Sequence, residues 1–320
     1  LLGAFLGNFW TYGAEDENSK VAPGQLTLEQ AVQRYQLPHW KSLPCIYGVL
    51  GNPVAHSLSP LIHNQLFQTH QLDKIYLPFL LDDAKIWLDY VKQSPLPFSG
   101  FSVTLPFKTD VLEFVEHKES PVDSVNTLVQ RDSIWRGLNT DYNGFLQALQ
   151  SRLTLKDKTA LVLGNGGVAH TVVKALMDQD VEVTVVGRNP DKVSHFAQLY
   201  GCRNILFSDL PVPAHICVNT TPVGQYPDIE DSPLKEDQMD FDVVYDLVYS
   251  PENTRLLDLA GSQGLETISG MEMFVEQAAL QSETWTGLSP NREMMRELIR
   301  ENSDQLTESF RTWTQLSKRS

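Results

Sequence analysis

The chain has little positive charge. It carries 25 Lys and Arg against 40 Asp and Glu, a net charge of −15. Phosphate backbones are bound by basic surfaces, so nucleic acid is excluded as a partner. An anionic small molecule is not excluded, because it needs only a local basic group. Cysteine is scarce: Cys45, Cys202 and Cys217 are odd in number and form no CxxC pair. They read as reduced core thiols rather than a disulfide framework or a metal site. The eight histidines show no ligand spacing, so no metal is expected. No run approaches the roughly 18 apolar residues of a membrane helix, so no membrane partner is expected. The opening "LLGAFLGNFW" is too short for one, and no basic region precedes it as in a signal peptide. There is no internal repeat and no low-complexity tract. The first residue is not Met, and the chain reads as a piece of a longer polypeptide.

What is present suits a soluble globular protein with two cores: 320 residues, 42% hydrophobic and 20% charged. From 44 to 141 short strands alternate with helices. "CIYGVLG", "KIYLPFLL" and "GFSVTL" read as strands, and "SPLIHNQLFQTH" and "LDDAKIWLDYVKQ" as helices. "SVNTLVQ" and "IWRGLNTD" flank "RDS", which predicts a hairpin turning at Asp132 and Ser133. Such a hairpin sets Asn126 near Asn139 and carries Asn126 and Asp141 to one open end. From 159 the alternation is cleaner. "TALVLG", "VEVTVVG", "HICVNTT" and "DVVYDLVY" are apolar strands separated by helices, the pattern of a parallel sheet covered on both faces. After "ISG" the chain is expected to be helical to its end, closing on one or two amphipathic helices. The fold class is α/β: a substrate-binding α/β domain plus a doubly wound, Rossmann-type nucleotide domain.

Between strand and helix lies "VLGNGGVA", with Gly164, Asn165, Gly166, Gly167, Val168 and Ala169. Glycines in this setting let backbone approach a pyrophosphate at a helix N-terminus, and Ala169 lets the helix pack close to its strand. The end of the next strand selects the nucleotide. NAD sites place Asp or Glu there; "VVGRNPDK" places Arg188, followed by Asn189 and Lys192. Two cations suit a ribose 2′-phosphate, so the expected cofactor is NADP. In "VNTTPVG" the residues Asn219, Thr220 and Thr221 follow a strand of the same sheet and are expected on the nicotinamide side, with turn chemistry before Pro222 as the alternative.

Two segments of the first half carry chemistry. "NPVAHSLSP" sets two hydroxyls, Ser57 and Ser59, after a strand and before a helix, where they either cap that helix or bind a ligand. "FSVTLPFKTD" reads as a strand running into a helix, with Thr104 as a possible cap and Lys108 in the first turn. A lysine there opposes the helix dipole. That is a poor structural choice and a reasonable one for an amine that transfers a proton. His56 reads as loop packing and His63 as helix surface.

The segments "GNPVAHSLSPLIHN", "FSVTLPFK", "VNTL", "NTD", "GNGGVA", "VNTTPVG", "DLVYSPENT" and "GMEMFVEQA", in this order from about 46 to 290, resemble the shikimate dehydrogenase family. The resemblance implies NADP-dependent, reversible reduction of 3-dehydroshikimate to shikimate, a small-molecule substrate. It implies that Ser57 and Ser59 bind the carboxylate. Thr104, Lys108, Asn126, Asp141 and Gln277 would meet the ring hydroxyls, and Tyr249 would lie near the carboxylate. Lys108 and Asp141 correspond to the catalytic pair. Three readings stay open beside it: a quinate dehydrogenase using NAD, a shikimate-sensing module without turnover, and a two-domain dehydrogenase of the tetrahydrofolate or amino-acid type. The departures are Ser102 for a common Asn, "DSVNT" for a glycine-alanine approach, Asn165 for Ala and Gly187 for Asn.

The domains expected are a leader at 1–43, a substrate-binding domain at 44–144 completed by helices at 270–320, and the nucleotide domain at 145–269. "VAPGQLTLEQAV" in the leader resembles the closing segment of a type I dehydroquinase, with Gln25 as the matching substrate contact. The leader therefore reads as the tail of a fused upstream domain; an unrelated capped helix beginning after "LT" is the alternative. The expected location is the cytoplasm, or a plastid if a targeting segment precedes.

Overall fold

The computed structural model describes residues 14–16, 19, 26–35, 43–54 and 57–302. They divide into two compact units. The first holds residues up to Glu119, Ser124–Leu138 and Thr284–Pro290; the second holds Ser120–Asp123, Asn139–Glu283 and the residues from Asn291 on. The sequence reading ends the first domain at 144 and returns 270–320 to it. In the structure the change comes after Leu138, and of the C-terminal part only Thr284–Pro290 joins the first unit.

The first unit is built on a six-stranded mixed sheet. Its strands are β1 (Cys45–Gly51), β2 (Lys74–Leu80), β3 (Phe98–Val103), β4 (His117–Lys118), β5 (Thr127–Arg131) and β6 (Ile134–Leu138), in the order β2-β1-β3-β5-β6-β4. Helices α1 (Ser59–Thr69) and α2 (Ala84–Gln93) connect the parallel strands β1, β2 and β3. Side chains alternate across the sheet as the pleat requires. Ile46, Leu50, Ile75 and Leu77 enter one core, and Tyr47, Val49 and Tyr76 the other. The hairpin forms where the sequence predicts it. β5 and β6 are antiparallel with Arg131 opposite Ile134, and Asp132 and Ser133 have φ of 52° and 63°, the geometry of a tight two-residue turn.

One expectation fails here. The chain after β3 does not enter an α-helix. It makes turns through Thr109 and then a four-residue 3₁₀-helix, Asp110–Glu113. Pro106 and the short polar run do not nucleate a longer helix. Thr104 has no α-helix to cap, and no α-helix dipole opposes Lys108. His63 is also not on a surface: it is fully buried, stacked on Tyr76 at 4.6 Å. It lies on the face of α1 that meets the sheet.

The second unit is an all-parallel sheet in the order β12-β11-β10-β7-β8-β9. The strands are β7 (Thr159–Leu163), β8 (Glu182–Gly187), β9 (Arg203–Leu206), β10 (Ile216–Asn219), β11 (Val243–Asp246) and β12 (Glu266–Ile268). The order reverses beside β7, as in doubly wound nucleotide-binding sheets. Alternate residues of β7 face opposite cores: Ala160 and Val162 one, Leu161 and Leu163 the other. Helices α3 (Thr140–Gln150), α4 (Gly167–Met177), α5 (Pro190–Tyr200), α6 (Arg255–Ser262), α7 (Gly270–Thr286) and α8 (Arg292–Glu301) complete the described chain. All three cysteines are free thiols; Cys217 is in the core, but Cys45 and Cys202 are only half-buried at core margins. No helix among the described residues is long and apolar enough to cross a membrane. In the leader, Thr27 and Gln30 cap each other reciprocally ahead of a helical turn at Gln30–Arg34. Gln25, His56 and the chain beyond 302 lie outside the described residues.

Candidate active site

In the first unit the singled-out polar residues gather at the carboxyl ends of parallel strands, where α/β sheets bind ligands. β1 leads into Asn52, Ser57 and Ser59; β3 leads into Thr104 and Lys108; Asn126 precedes β5. Backbone bonds tie the three stretches together. Thr104 N–H donates to Leu50 O at 2.9 Å, Asn52 N–H to Leu105 O at 3.0 Å, and Val103 N–H to Asn126 O at 2.7 Å. Val125 N–H donates to Lys108 O at 2.8 Å, so the loop carrying Asn126 holds the loop carrying Lys108. Asn126 N–H donates to Leu138 O at 3.1 Å at the open end of the hairpin. Asn126 is buried, and Thr104 and Lys108 are half-buried.

Ser57 and Ser59 sit at the start of α1. Ser59 is buried, and its N–H donates to Ser57 Oγ at 3.3 Å. The residue at the N-cap is Leu58, which supplies no side-chain acceptor.

The helix starts separate into two kinds. Asp83, Asn139, Asn189, Thr254 and Asn291 each cap their helix with a side-chain oxygen. Only α1, behind Leu58, and α4, behind Gly166, have a described N-cap with no such bond. A helix start without a capping side chain favours an anion, as at α4; at α1 the Ser59 N–H is taken by Ser57 Oγ at 3.3 Å, and Pro60 has no N–H to offer. These two are the starts at which the sequence expects a carboxylate and a pyrophosphate.

In the second unit Asp141 lies in the first turn of α3 and is buried. One turn on, Gly144 lets α7 approach: a side chain at Gly144 would come within 2.9 Å of Gln277 N. Asp141 and Gln277 are thus brought to the same pair of packed helices. Gln277 Nε2 donates to Phe274 O at 3.1 Å, and the Phe274 ring stacks on Tyr249 at 5.4 Å. Burial pushes the Tyr249 phenol above its ordinary range.

The glycine turn has room for a phosphate. Gly164 has φ of +103°, a conformation open to glycine. A Cβ at Gly166 or Gly167 would meet nothing within 4 Å, while Ala169 is fully buried under the helix. Residues 164–169 therefore fit a pyrophosphate. Arg188 follows β8 and is exposed; Asn189 caps α5 through Lys192 N–H at 2.9 Å, leaving the Lys192 side chain in solvent.

One of the three residues expected on the nicotinamide side is tied into the fold by its own hydrogen bonds. Asn219 is fully buried, and its amide is occupied within the loop. Nδ2 donates to Asp246 Oδ1 at 2.9 Å, and Oδ1 accepts from Thr221 N–H at 3.0 Å and Thr221 Oγ1 at 2.7 Å. Turn chemistry accounts for it. Thr220 Oγ1 donates to Leu163 O at 2.7 Å, which leaves half-buried Thr220 and Thr221 beside Gly164. Sequence reasoning passed over Asp246, although "VVYDLV" puts an acid at the end of an apolar strand. It accepts also from Val248 N–H at 3.0 Å and Thr254 Oγ1 at 2.6 Å. Burial pushes its carboxyl up to about 6, against the pull of these three donors.

Three family descriptions match the chain. Shikimate dehydrogenase substrate binding domain covers 49–128, shikimate/quinate 5-dehydrogenase 147–217, and shikimate 5′-dehydrogenase C-terminal domain 270–300. A shikimate dehydrogenase (NADP+) of Bacillus mycoides is 35% identical over 270 residues, which is 79% of this chain and 97% of the relative. A bifunctional 3-dehydroquinate dehydratase/shikimate dehydrogenase of Arabidopsis thaliana is 30% identical over 318 residues, 92% of this chain; the chain spans 52% of that relative. Among solved structures, shikimate 5-dehydrogenase of Thermus thermophilus, in complex with NADP(H) and shikimate, superposes with a TM-score of 0.72 at 34% identity, over 80% of this chain and 98% of that one. The chain belongs to the shikimate dehydrogenase family.

Proposed function

We propose that this chain is an NADP-dependent oxidoreductase that interconverts 3-dehydroshikimate and shikimate. The observation that carries the reading is the glycine turn before α4, in a chain of this family: the N-cap Gly166 supplies no side-chain bond, and Gly166 and Gly167 face open space. At the start of α1 the groups that would meet the carboxylate are the hydroxyls of Ser57 and Ser59. The roles of the individual residues are those that the family resemblance implies. Ser57 and Ser59 hold the carboxylate, with Tyr249 near it. Thr104, Asn126 and Gln277 hold ring hydroxyls.

Residues 164–169 would hold the pyrophosphate, Arg188 with Lys192 the 2′-phosphate, and Thr220 and Thr221 the loop beside the nicotinamide. The bound cofactor supplies a hydride to the ring ketone, or accepts one from the alcohol. Lys108 Nζ, as ammonium, hydrogen-bonds the ketone oxygen and gives it a proton as negative charge develops. In the reverse direction neutral Lys108 takes the hydroxyl proton. Asp141 is the other member of the catalytic pair, as the resemblance implies.

The chain's N-terminal stretch is assigned to the end of an upstream dehydroquinase-like domain. The longer match to the Arabidopsis protein, 92% of this chain against 79% for the Bacillus enzyme, supports this.

The test is absorbance in the nicotinamide band with shikimate or quinate, against NADP and NAD. Turnover of shikimate with NADP supports the reading. Preference for quinate with NAD would replace it with a quinate dehydrogenase, and shikimate binding without reduction of NADP with a sensing module.

A further inference from the structure

One buried acid of the second unit has no part in the reaction as described. Asp246 ends β11 and Asn219 ends β10, and the two lie side by side across the parallel pair. Both are fully buried. The carboxylate accepts at both oxygens. Oδ1 takes Asn219 Nδ2 at 2.9 Å and Val248 N–H at 3.0 Å, and Oδ2 takes Thr254 Oγ1 at 2.6 Å. We propose that Asp246 is a positioning residue of the cofactor site: by orienting the Asn219 amide it fixes Thr220 and Thr221 against the glycine turn. The inference rests on the proposed place of these two threonines beside the nicotinamide.

The relay has a direction. An ionised carboxylate offers only acceptors, so it selects the donor end of the Asn219 amide. Nδ2 therefore faces Asp246, and it also donates to Val223 O at 3.4 Å. Oδ1 is left for the loop, where it accepts from Thr221 N–H at 3.0 Å and Thr221 Oγ1 at 2.7 Å. A reversed amide would set oxygen against carboxylate and NH₂ against the Thr221 N–H. Thr221 Oγ1, its proton given to Asn219, accepts from Val223 N–H at 3.3 Å. The hydroxyl is thus turned into the loop. The methyl is turned to the glycine turn: a Cβ on Gly164 would come within 2.9 Å of Thr221 Cγ2 and 2.8 Å of Thr220 Oγ1. Asp246 in this way sets how closely the loop approaches Gly164, although its own partners are Asn219, Val248 and Thr254.

The two oxygens serve different ends. Oδ1 holds the loop through Asn219. Oδ2 holds Thr254, whose Oγ1 caps α6 by accepting from Leu257 N–H at 3.4 Å. An asparagine at 246 keeps an acceptor for Asn219 Nδ2 and Val248 N–H, and its amide can meet Thr254 Oγ1 once that hydroxyl turns. An alanine keeps neither. Asp246→Asn should therefore rescue what Asp246→Ala loses, and loss of the Thr254 hydroxyl should spare the loop.

The experiment measures dissociation constants by titration calorimetry for NADP and for 2′,5′-ADP, which carries the 2′-phosphate and lacks the nicotinamide. It also measures kcat with saturating shikimate. The chains are wild type, Asp246→Ala, Asp246→Asn, Asn219→Ala, Asp246→Ala/Asn219→Ala and Thr254→Val. Asp246→Ala should weaken NADP about 10-fold and lower kcat about 10-fold or more, since misplaced groups forfeit up to about 10²-fold in rate. Binding of 2′,5′-ADP should stay within about 2-fold, because this probe has no nicotinamide half to meet the loop. Asn219→Ala should show the same split, and the double variant should be no worse than either single one. Asp246→Asn should bind NADP within about 3-fold of wild type, and Thr254→Val should leave both dissociation constants unchanged. Equal weakening of the two nucleotides, full additivity in the double variant, or Asp246→Asn as impaired as Asp246→Ala would each overturn the proposal. If Asp246→Ala does not fold, Thr221→Val, which removes only the last hydroxyl of the relay, decides: the same split supports the proposal, and its absence overturns it. A wild-type chain that binds NADP and turns over shikimate, with variants that bind NADP as tightly, removes this inference only. A wild-type chain that binds neither nucleotide removes the functional reading, and this inference with it.

Discussion

Asn64 grips both backbone polar groups of Tyr76, accepting from its N–H at 2.9 Å and donating to its carbonyl at 2.8 Å. Asn64→Ala leaves these buried groups and the Pro60 carbonyl without that amide. An unsatisfied buried group costs about 1–3 kcal/mol, so a loss of roughly 3 kcal/mol in unfolding free energy is expected. Urea denaturation at constant slope measures it. A loss below about 1 kcal/mol would mean that water replaces the amide.

Gly144 tests the packing of α3 on α7. Gly144→Val would press on Gln277 N, which an added Cβ already approaches at 2.9 Å. The expected result is a KM for shikimate raised several-fold or more, with KM for NADP little changed, in steady-state kinetics. An unaltered KM would show that Gln277 does not meet the substrate.

Much of this arrangement can be read in the residues. The strands β1, β3 and β8 and the hairpin turn at Asp132–Ser133 follow from apolar runs and turn chemistry, both local signals. The glycine turn follows from three glycines between a strand and a helix. What could not be read depends on tertiary neighbours. The His63 position on α1 is polar in type, yet stacking on Tyr76 and an edge contact with Trp285 bury it. Asn219 sits where a ligand contact was expected, but Asp246, 27 residues away, occupies its amide. The 3₁₀ turn after Thr109 replaces an expected helix because nothing in "PFKTD" fixes its length. Ser102, which departs from a common Asn, accepts from the Tyr76 hydroxyl at 2.6 Å, a partner 26 residues away that no local signal announces.

Asp246 predicts a pH dependence. Burial holds its folded-state carboxyl near 6, above the unfolded value of about 3.9. The native state therefore binds the proton more tightly, and this group's contribution to stability falls as pH rises from about 4 to 6, then levels off. The size is on the order of 3 kcal/mol. Unfolding free energies of wild type minus Asp246→Asn, taken at several pH values, should decline across that window. A flat difference would contradict the assignment.

Arg188 predicts cofactor choice. Arg188→Ala should raise KM for NADP about 10-fold or more and barely alter KM for NAD, since a charge-assisted bond to the 2′-phosphate is worth about 1.5–3 kcal/mol. Initial rates with both nucleotides measure this. Equal losses would remove Arg188 from the site.

The central claim is that the Lys108 amine moves the proton while NADP carries the hydride. It is tested most directly by the rate of NADP reduction with saturating shikimate in wild type and Lys108→Ala. The account predicts a fall in kcat of at least about 10²-fold with nucleotide binding intact. A variant that keeps its turnover would contradict it.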